Sequence, residues 1–124
     1  IKIEESKCIF LNQYYGKIID IAENHGEGRF FASHKTIKKI EKDNLVFCRY
    51  VNANYKMTSS YPQNPNGAIN GIAGITDATG RILGLMPHPE KIVDITQHPN
   101  WRRKKVEAKG GLILKSMINF ANQS

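Results

Sequence analysis

Short apolar runs along the chain predict a sheet. Residues 16–22 (GKIIDIA) and 45–51 (LVFCRYV) are rich in β-branched side chains and are flanked by glycine or polar residues, as is typical of strands. The second run is apolar over most of its length, which favours a strand buried on both faces. Residues 69–86 hold two Ile- and Leu-rich stretches around the turn 77–80, with Asp77 and Gly80 at its turn positions, and predict a β-hairpin.

Two other stretches have helical spacing. Residues 32–44 predict a short helix with Ser33 as its N-cap and with Ile37 and Ile40 on one face. Residues 110–123 predict a terminal helix. Its apolar side chains recur at helical intervals, at Leu114, Met117, Ile118 and Ala121. Helices and strands in this order indicate a layered α/β domain, and the sheet is compatible with membership of a larger one.

The polar stretches complete this picture. Residues 52–67 are rich in Asn, Ser, Pro and Gly and predict a long loop. Residues 91–105 show no regular periodicity, and we expect them to be irregular.

Composition narrows the class of protein. The chain has 124 residues, of which 40% are hydrophobic and 23% charged, as expected for one globular domain. No apolar run approaches the roughly 20 residues of a membrane helix, and the first residues lack the features of a signal peptide. The chain begins with Ile1, so we expect it to be processed or cut from a longer protein. Cys8 and Cys48 have no CxxC spacing, and we expect reduced thiols in a cytoplasmic protein.

The chain is basic, with 18 Lys and Arg against 11 Asp and Glu and a net charge of +7. This charge permits an anionic partner without requiring a nucleic acid. The basic residues are spread out except at 102–105 (RRKK). That run has two interpretations: a solvated loop, or a nucleic-acid contact in which the neighbouring Trp101 could take part.

The segment Pro87-His88-Pro89-Glu90 is the best candidate for chemistry. Pro89 disfavours helical geometry at His88, and in an extended segment residues 88 and 90 point to the same side. A carboxylate that holds one ring nitrogen fixes the tautomer of a histidine and makes it a better proton carrier. The alternative is a solvated surface pair. A metal site built from His88, Glu90 and His98 matches no usual ligand spacing, and we predict no metal.

A glycine-rich segment, 23–31 (ENHGEGRFF), directly follows the first predicted strand. Gly26 and Gly28 would allow backbone N–H groups to approach a ligand closely. The alternative interpretation is a glycine-rich turn with incidental charges.

The order of these segments is more specific than any one of them. From IAENHGEGRFF through LVFCRYV, NPNGAINGIAGI, GLMPHPE and QHPNW to a glycine-led terminal helix, the chain resembles the C-terminal part of class I glutamine amidotransferases. Within that class it is similar to the glutaminase component of phosphoribosylformylglycinamidine synthases of purine biosynthesis. NPNGAINGIAGI and GLMPHPE carry this finer resemblance, which covers almost all of residues 1–124.

The resemblance implies an activity and site residues. It implies hydrolysis of glutamine to glutamate by a cysteine thiolate through a γ-glutamyl thioester, with His88 as the catalytic histidine and Glu90 as its orienting carboxylate. Gly26 and Glu27 match the region that holds the amino-acid end of glutamine, although Glu27 could instead serve an interface. The ammonia would pass to a synthetase component, as a separate subunit or a fused domain, which uses ATP and magnesium to convert formylglycinamide ribonucleotide to the amidine. No cofactor is expected in this chain, and neither a membrane nor a nucleic acid is expected as its main partner.

The chain departs from that family in one respect. The family's nucleophile is a glycine-flanked cysteine on a strained turn upstream of HGEG, and neither Cys8 nor Cys48 has flanking glycines. The resemblance implies part of a flavodoxin-like domain, with a mixed, mostly parallel sheet, flanking helices and a β-hairpin, and we expect its N-terminal strands, with the nucleophile, to be missing. This piece is expected to be inactive alone. A non-catalytic docking remnant and a basic nucleic-acid-binding module remain the alternatives.

Overall fold

The computed structural model describes residues 1–24 and 28–123. It contains four strands, β1 (Lys2–Ile3), β2 (Val46–Arg49), β3 (Ile72–Thr76) and β4 (Leu83–Leu85), and two α-helices, α1 (His34–Lys42) and α2 (Gly110–Asn122). Short 3₁₀ turns lie at Asn12–Tyr14, Ile69–Gly71, Pro89–Ile92 and Ile95–Gln97. The predicted α/β class is confirmed.

The four strands form one sheet in the order β1-β2-β3-β4, and every neighbouring pair is antiparallel. β2 is central, and Phe47 and Cys48 at its middle are fully buried. Gly74 of β3 lies directly against them, since a Cβ at that position would come within 2.5 Å of the Phe47 ring. The mostly parallel, flavodoxin-like sheet expected from the sequence is not confirmed in the described residues, where each strand lies antiparallel beside the one that precedes it in the chain.

The predicted hairpin is confirmed as β3 and β4 with the turn at 77–80. The Asp77 carboxylate accepts hydrogen bonds from the backbone N–H groups of Thr79, Arg81 and Ile82 at 3.0–3.1 Å. The Thr79 hydroxyl also donates to this carboxylate, and it makes the largest contribution, with the backbone bonds, to holding the pKa of Asp77 down to about 2. Gly80 has φ +73° and lies against the Lys7 carbonyl, so no side chain fits there.

The first predicted strand is not a regular strand. Residues 16–22 run beside β1, but they form a single isolated bridge, between Ile18 and Lys2. Gly16 takes a positive φ of 77°, and its N–H donates to the Ile3 carbonyl. The segment therefore follows the edge of the sheet as an irregular chain and stays close to it without extending the ladder.

Both helices form as predicted, but α2 buries a different face. Ser33 caps α1, accepting from the Thr36 N–H at 3.2 Å, and Ile37 is buried. In α2 the inward residues are spaced at three or four positions, at Gly110, Ile113, Ser116 and, in part, Phe120. The apolar residues that the sequence favoured are partly or largely exposed, at Leu114, Met117, Ile118 and Ala121.

Polar chemistry explains this orientation of α2. Ser116 faces inward because its hydroxyl donates to the Phe10 carbonyl and accepts from the Gln13 amide. Gly110 lies so close to the Pro89 carbonyl that a Cβ would come within 2.2 Å of it. Phe120 meets Phe10 edge to face, with ring centroids 5.2 Å apart. Gly110 and the Ser116 hydroxyl thus determine which face of α2 is buried. The spacing of the apolar residues alone predicts the wrong face.

In the part of the chain that is described, no helix is long and apolar enough to cross a membrane. The core consists of one large cluster around Phe47 and Ile113 and a smaller one between α1 and the sheet. The hairpin packs on this core and carries the residues that follow β4 to the surface.

Candidate functional site

His88 lies three residues after the end of β4. After Leu85 the chain makes one more sheet bond, from the Met86 N–H to the Ala73 carbonyl, and then leaves the ladder at Pro87. His88 has φ −102° and ψ 94°, the extended geometry that Pro89 favours. Its backbone N–H donates to the Ala22 carbonyl at 2.8 Å, so the segment is tied to the chain that leads into ENHGEG.

His88 and Glu90 form the predicted pair. The Nδ1 atom of His88 lies 2.7 Å from the Glu90 Oε1 atom, and the side chains are 35% and 57% exposed. The 3₁₀ turn Pro89–Ile92 contains Glu90, so the carboxylate reaches the Nδ1 atom from a turn and not from continued extended chain. The hydrogen bond from His88 lowers the pKa of Glu90.

This geometry fixes the state of the imidazole. An ionised carboxylate only accepts, so the Nδ1 atom of His88 carries the proton and, in the neutral ring, the Nε2 atom is left as an acceptor. The ring is neither buried in packing nor fully solvated. Its Nε2 atom can therefore accept a proton from a group that approaches the exposed part of the ring.

A second polar cluster, which the sequence did not single out, lies next to this segment. The Tyr50 hydroxyl donates to the Glu23 Oε1 atom at 2.9 Å, and the Asn66 amide donates to the same oxygen at 2.8 Å. Tyr50 is only 4% exposed, and its burial together with the neighbouring Glu23 carboxylate raises the pKa of its hydroxyl. Asn66 belongs to the NPNG segment, but a partner 43 residues away could not be read from the sequence.

Two open clefts adjoin the end of β4. One, of about 380 Å³, is lined by Ile21, Glu23, Tyr50, Pro65 and Pro87 among others. The other, of about 410 Å³, lies between the segment 28–30 and the hairpin strands, and reaches Met86. The residues just before His88 thus border free space on both sides. The predicted glutamine-binding residues, Gly26 and Glu27, lie outside the described residues.

Neither cysteine is placed to act as a nucleophile. Cys8 and Cys48 are both fully buried, and burial raises the pKa of each thiol above its ordinary value. Cys48 packs in the middle of β2, within the run 45–51 that the sequence predicts to be a buried strand. A thiol in an apolar interior stays protonated and out of reach of a substrate.

The remaining histidine considered for the site has a structural role. His98 is 6% exposed, its Nε2 atom lies 3.0 Å from the Asp20 carboxylate, and its Nδ1 atom accepts from the Asn100 N–H at 3.1 Å. His88 and His98 thus have separate carboxylate partners. Within residues 1–24 and 28–123, no group of three or more His, Cys, Asp or Glu side chains is placed to hold a metal ion.

The basic run 102–105 is exposed along its whole length. The Arg102 guanidinium lies over the Trp101 ring, 4.7 Å from its centroid, so one face of this aromatic group is already covered. This arrangement is typical of a solvated basic loop.

The family model and the individual relatives that match this chain agree with one another. Residues 1–122 match the CobB/CobQ-like glutamine amidotransferase domain. The chain is 43% identical over 110 residues to the phosphoribosylformylglycinamidine synthase of Saccharomyces cerevisiae, covering 87% of the chain and 8% of that protein. It is 40% identical over 120 residues to the synthase subunit PurQ of Methanococcus maripaludis (95% of the chain, 43% of the subunit). It is 38% identical over 95 residues to PurQ of Synechocystis (76% and 42%).

The chain spans less than half the length of these curated relatives. The family match nevertheless runs from the first strand to the end of α2, and it includes the β4 strand and the His88–Glu90 pair that follows it. The chain therefore belongs to the CobB/CobQ-like glutamine amidotransferase domain family.

Proposed function

We propose that this chain is the histidine- and glutamate-bearing part of a glutaminase that supplies ammonia to phosphoribosylformylglycinamidine synthesis. The observation that carries the proposal is the His88–Glu90 pair, with 2.7 Å between Nδ1 and Oε1. The pair directly follows Met86 and Pro87, which line two open clefts. The names of the relatives support the choice of pathway.

The geometry suits a thiol-based amide hydrolysis. The Nε2 atom of His88 takes the proton of a cysteine thiol, and the thiolate attacks the side-chain amide carbon of glutamine. The amide C–N bond breaks, and the imidazolium returns the proton to the leaving nitrogen, which departs as ammonia. Water, deprotonated by the same ring, then cleaves the γ-glutamyl thioester and releases glutamate. Glu90 holds the tautomer and stabilises the imidazolium through both steps.

The nucleophile comes from outside the described residues. Cys8 and Cys48 are excluded by their burial, and the longer relatives have more than half of their length beyond the matched region. We propose that a glycine-flanked cysteine from such an upstream portion faces His88. Gly26 and Glu27 then hold the amino-acid end of glutamine, by backbone N–H groups and a carboxylate.

The partner of this glutaminase is the synthetase component, as a separate subunit or as part of one chain. ATP and magnesium are used by that component, and this chain needs neither of them. A cytoplasmic location remains a prediction. The alternative of a non-catalytic docking remnant would keep the surface and lose the chemistry.

A hybrid enzyme tests the proposal. The 124-residue chain is joined behind the upstream portion of the Methanococcus maripaludis subunit that carries the family's cysteine, and release of glutamate from glutamine is measured. We expect hydrolysis by the hybrid, none by the 124-residue chain alone, and none when the added cysteine is replaced by alanine. A hybrid that melts cooperatively but releases no glutamate would contradict the proposal in favour of the docking remnant.

A further inference from the structure

We propose that Asn66 is a positioning residue for His88, acting through Glu23 and Ala22. The inference rests on the catalytic role proposed for His88. It assigns a task to the NPNG segment, which contributes no side chain to the chemistry itself.

The Asn66 amide draws two points of the glycine-rich segment together. Its Nδ2 atom donates to the Glu23 carboxylate at 2.8 Å and to the Gly28 carbonyl, which uses both amide hydrogens. Its Oδ1 atom accepts from the Ala68 N–H at 3.2 Å, which fixes the orientation of the amide plane. The Tyr50 hydroxyl, held in the core, donates to the same Glu23 oxygen.

A backbone hydrogen bond between His88 and Ala22 joins this cluster to the histidine. Ala22 is the neighbour of Glu23, and its carbonyl accepts the His88 backbone N–H at 2.8 Å. Prolines at 87 and 89 have no N–H, so within the tripeptide 87–89 His88 provides the one backbone donor. A shift of Glu23 therefore reaches the anchor of His88 through a single peptide unit.

The cluster and the histidine segment also share a cleft. Glu23, Tyr50 and Pro87 line the same space of about 380 Å³, so the cluster and the residue before His88 border one cleft. A hydrogen-bonded carboxylate at this place holds the chain near His88 in one position. Misplacement of a catalytic group by about 1 Å can cost up to about a hundredfold in rate.

The sharpest variant is Asn66→Asp, which is nearly isosteric. It keeps an oxygen for the Ala68 N–H but places an acceptor and a negative charge against Glu23 and the Gly28 carbonyl. In the hybrid enzyme we expect kcat to fall about tenfold or more and the glutamine KM to change less than threefold. Asn54→Asp, which makes the same change at an exposed amide in the long loop, is the matched control and should leave both unchanged.

A second measurement needs no activity. In the 124-residue chain, amide hydrogen exchange at His88 should be at least tenfold faster in Asn66→Asp than in wild type. Exchange at Thr76, whose N–H donates to the Leu45 carbonyl, should not change. The double variant Glu23→Gln/Asn66→Asp reverses donor and acceptor across the contact, and should recover at least threefold of the lost kcat.

Three results would overturn the inference. One is that both kcat and KM are unchanged in Asn66→Asp. Another is a raised KM at constant kcat, which would assign the cluster to substrate binding. The third is equal acceleration of exchange at His88 and Thr76, which would make Asn66 a general stability residue. Failure of the proposed function gives different results. The hybrid would then release no glutamate, or its glutamine hydrolysis would survive His88→Ala, whatever residue stands at position 66.

Discussion

Two isoleucines on α2 provide a matched test of how this chain packs. Ile113 is 2% exposed in the main core cluster, whereas Ile118, five residues later on the same helix, is 58% exposed. Ile113→Ala removes about three methyl or methylene groups from the core, worth about 2.4 kcal/mol in transfer free energy, and leaves a cavity that adds to this loss. We expect a total loss of about 3 kcal/mol in the free energy of unfolding.

Ile118→Ala makes the same chemical change at an exposed position. Its expected effect lies within about 0.5 kcal/mol, and alanine's better helix propensity offsets part of any loss. The difference of about 2.5 kcal/mol corresponds to about a seventyfold difference in the unfolding equilibrium constant.

The assay is urea unfolding of the 124-residue chain, followed by far-ultraviolet circular dichroism and analysed by linear extrapolation. If Ile113→Ala is too unstable to measure, Ile113→Val should still lose about 0.5–1.5 kcal/mol. Equal losses at the two positions, or a larger loss at Ile118, would refute the assignment of the buried face.

Three further predictions concern the His88–Glu90 pair, the two buried cysteines and the hairpin turn. Glu90→Gln should lower kcat of the hybrid enzyme about tenfold to a hundredfold with little change in KM, because the amide can donate to Nδ1 of His88 and leave the wrong tautomer; an unchanged kcat would contradict this. Cys8 and Cys48 should each react with a thiol reagent at least a hundredfold more slowly in the folded chain than in urea, and rapid labelling would contradict their burial. The pKa of Asp77 is depressed to about 2, so its contribution to stability is present above about pH 4 and is lost as the pH falls towards 2; Asp77→Asn should be less stable than wild type at pH 6, and this gap in urea midpoints should narrow at pH 2.

Features that depend on residues close together in the chain were predicted correctly from the sequence. The cap at Ser33, the turn between Asp77 and Gly80, and the extended geometry of His88 all follow from residues within a few positions of each other. The His88–Glu90 contact belongs to the same class, since a proline-led turn decides it.

Contacts between residues that are far apart in the sequence could not be predicted in this way. Ser116 faces the core because of a carbonyl 106 residues away, and Asn66 finds Glu23 across 43 residues. The segment 16–22 has the composition of a strand, but its place beside the two-residue strand β1 allows one bridge only. In each case the partner, and not the local pattern, determines the structure.

The most direct measurement is the rate of glutamine hydrolysis by the hybrid enzyme with His88→Ala, set against His34→Ala. His34 is exposed at the start of α1 and serves as the matched histidine control. The account predicts that His88→Ala lowers kcat by about a hundredfold or more while the protein melts like wild type, and that His34→Ala changes nothing. Hydrolysis that survives loss of the His88 imidazole would contradict it.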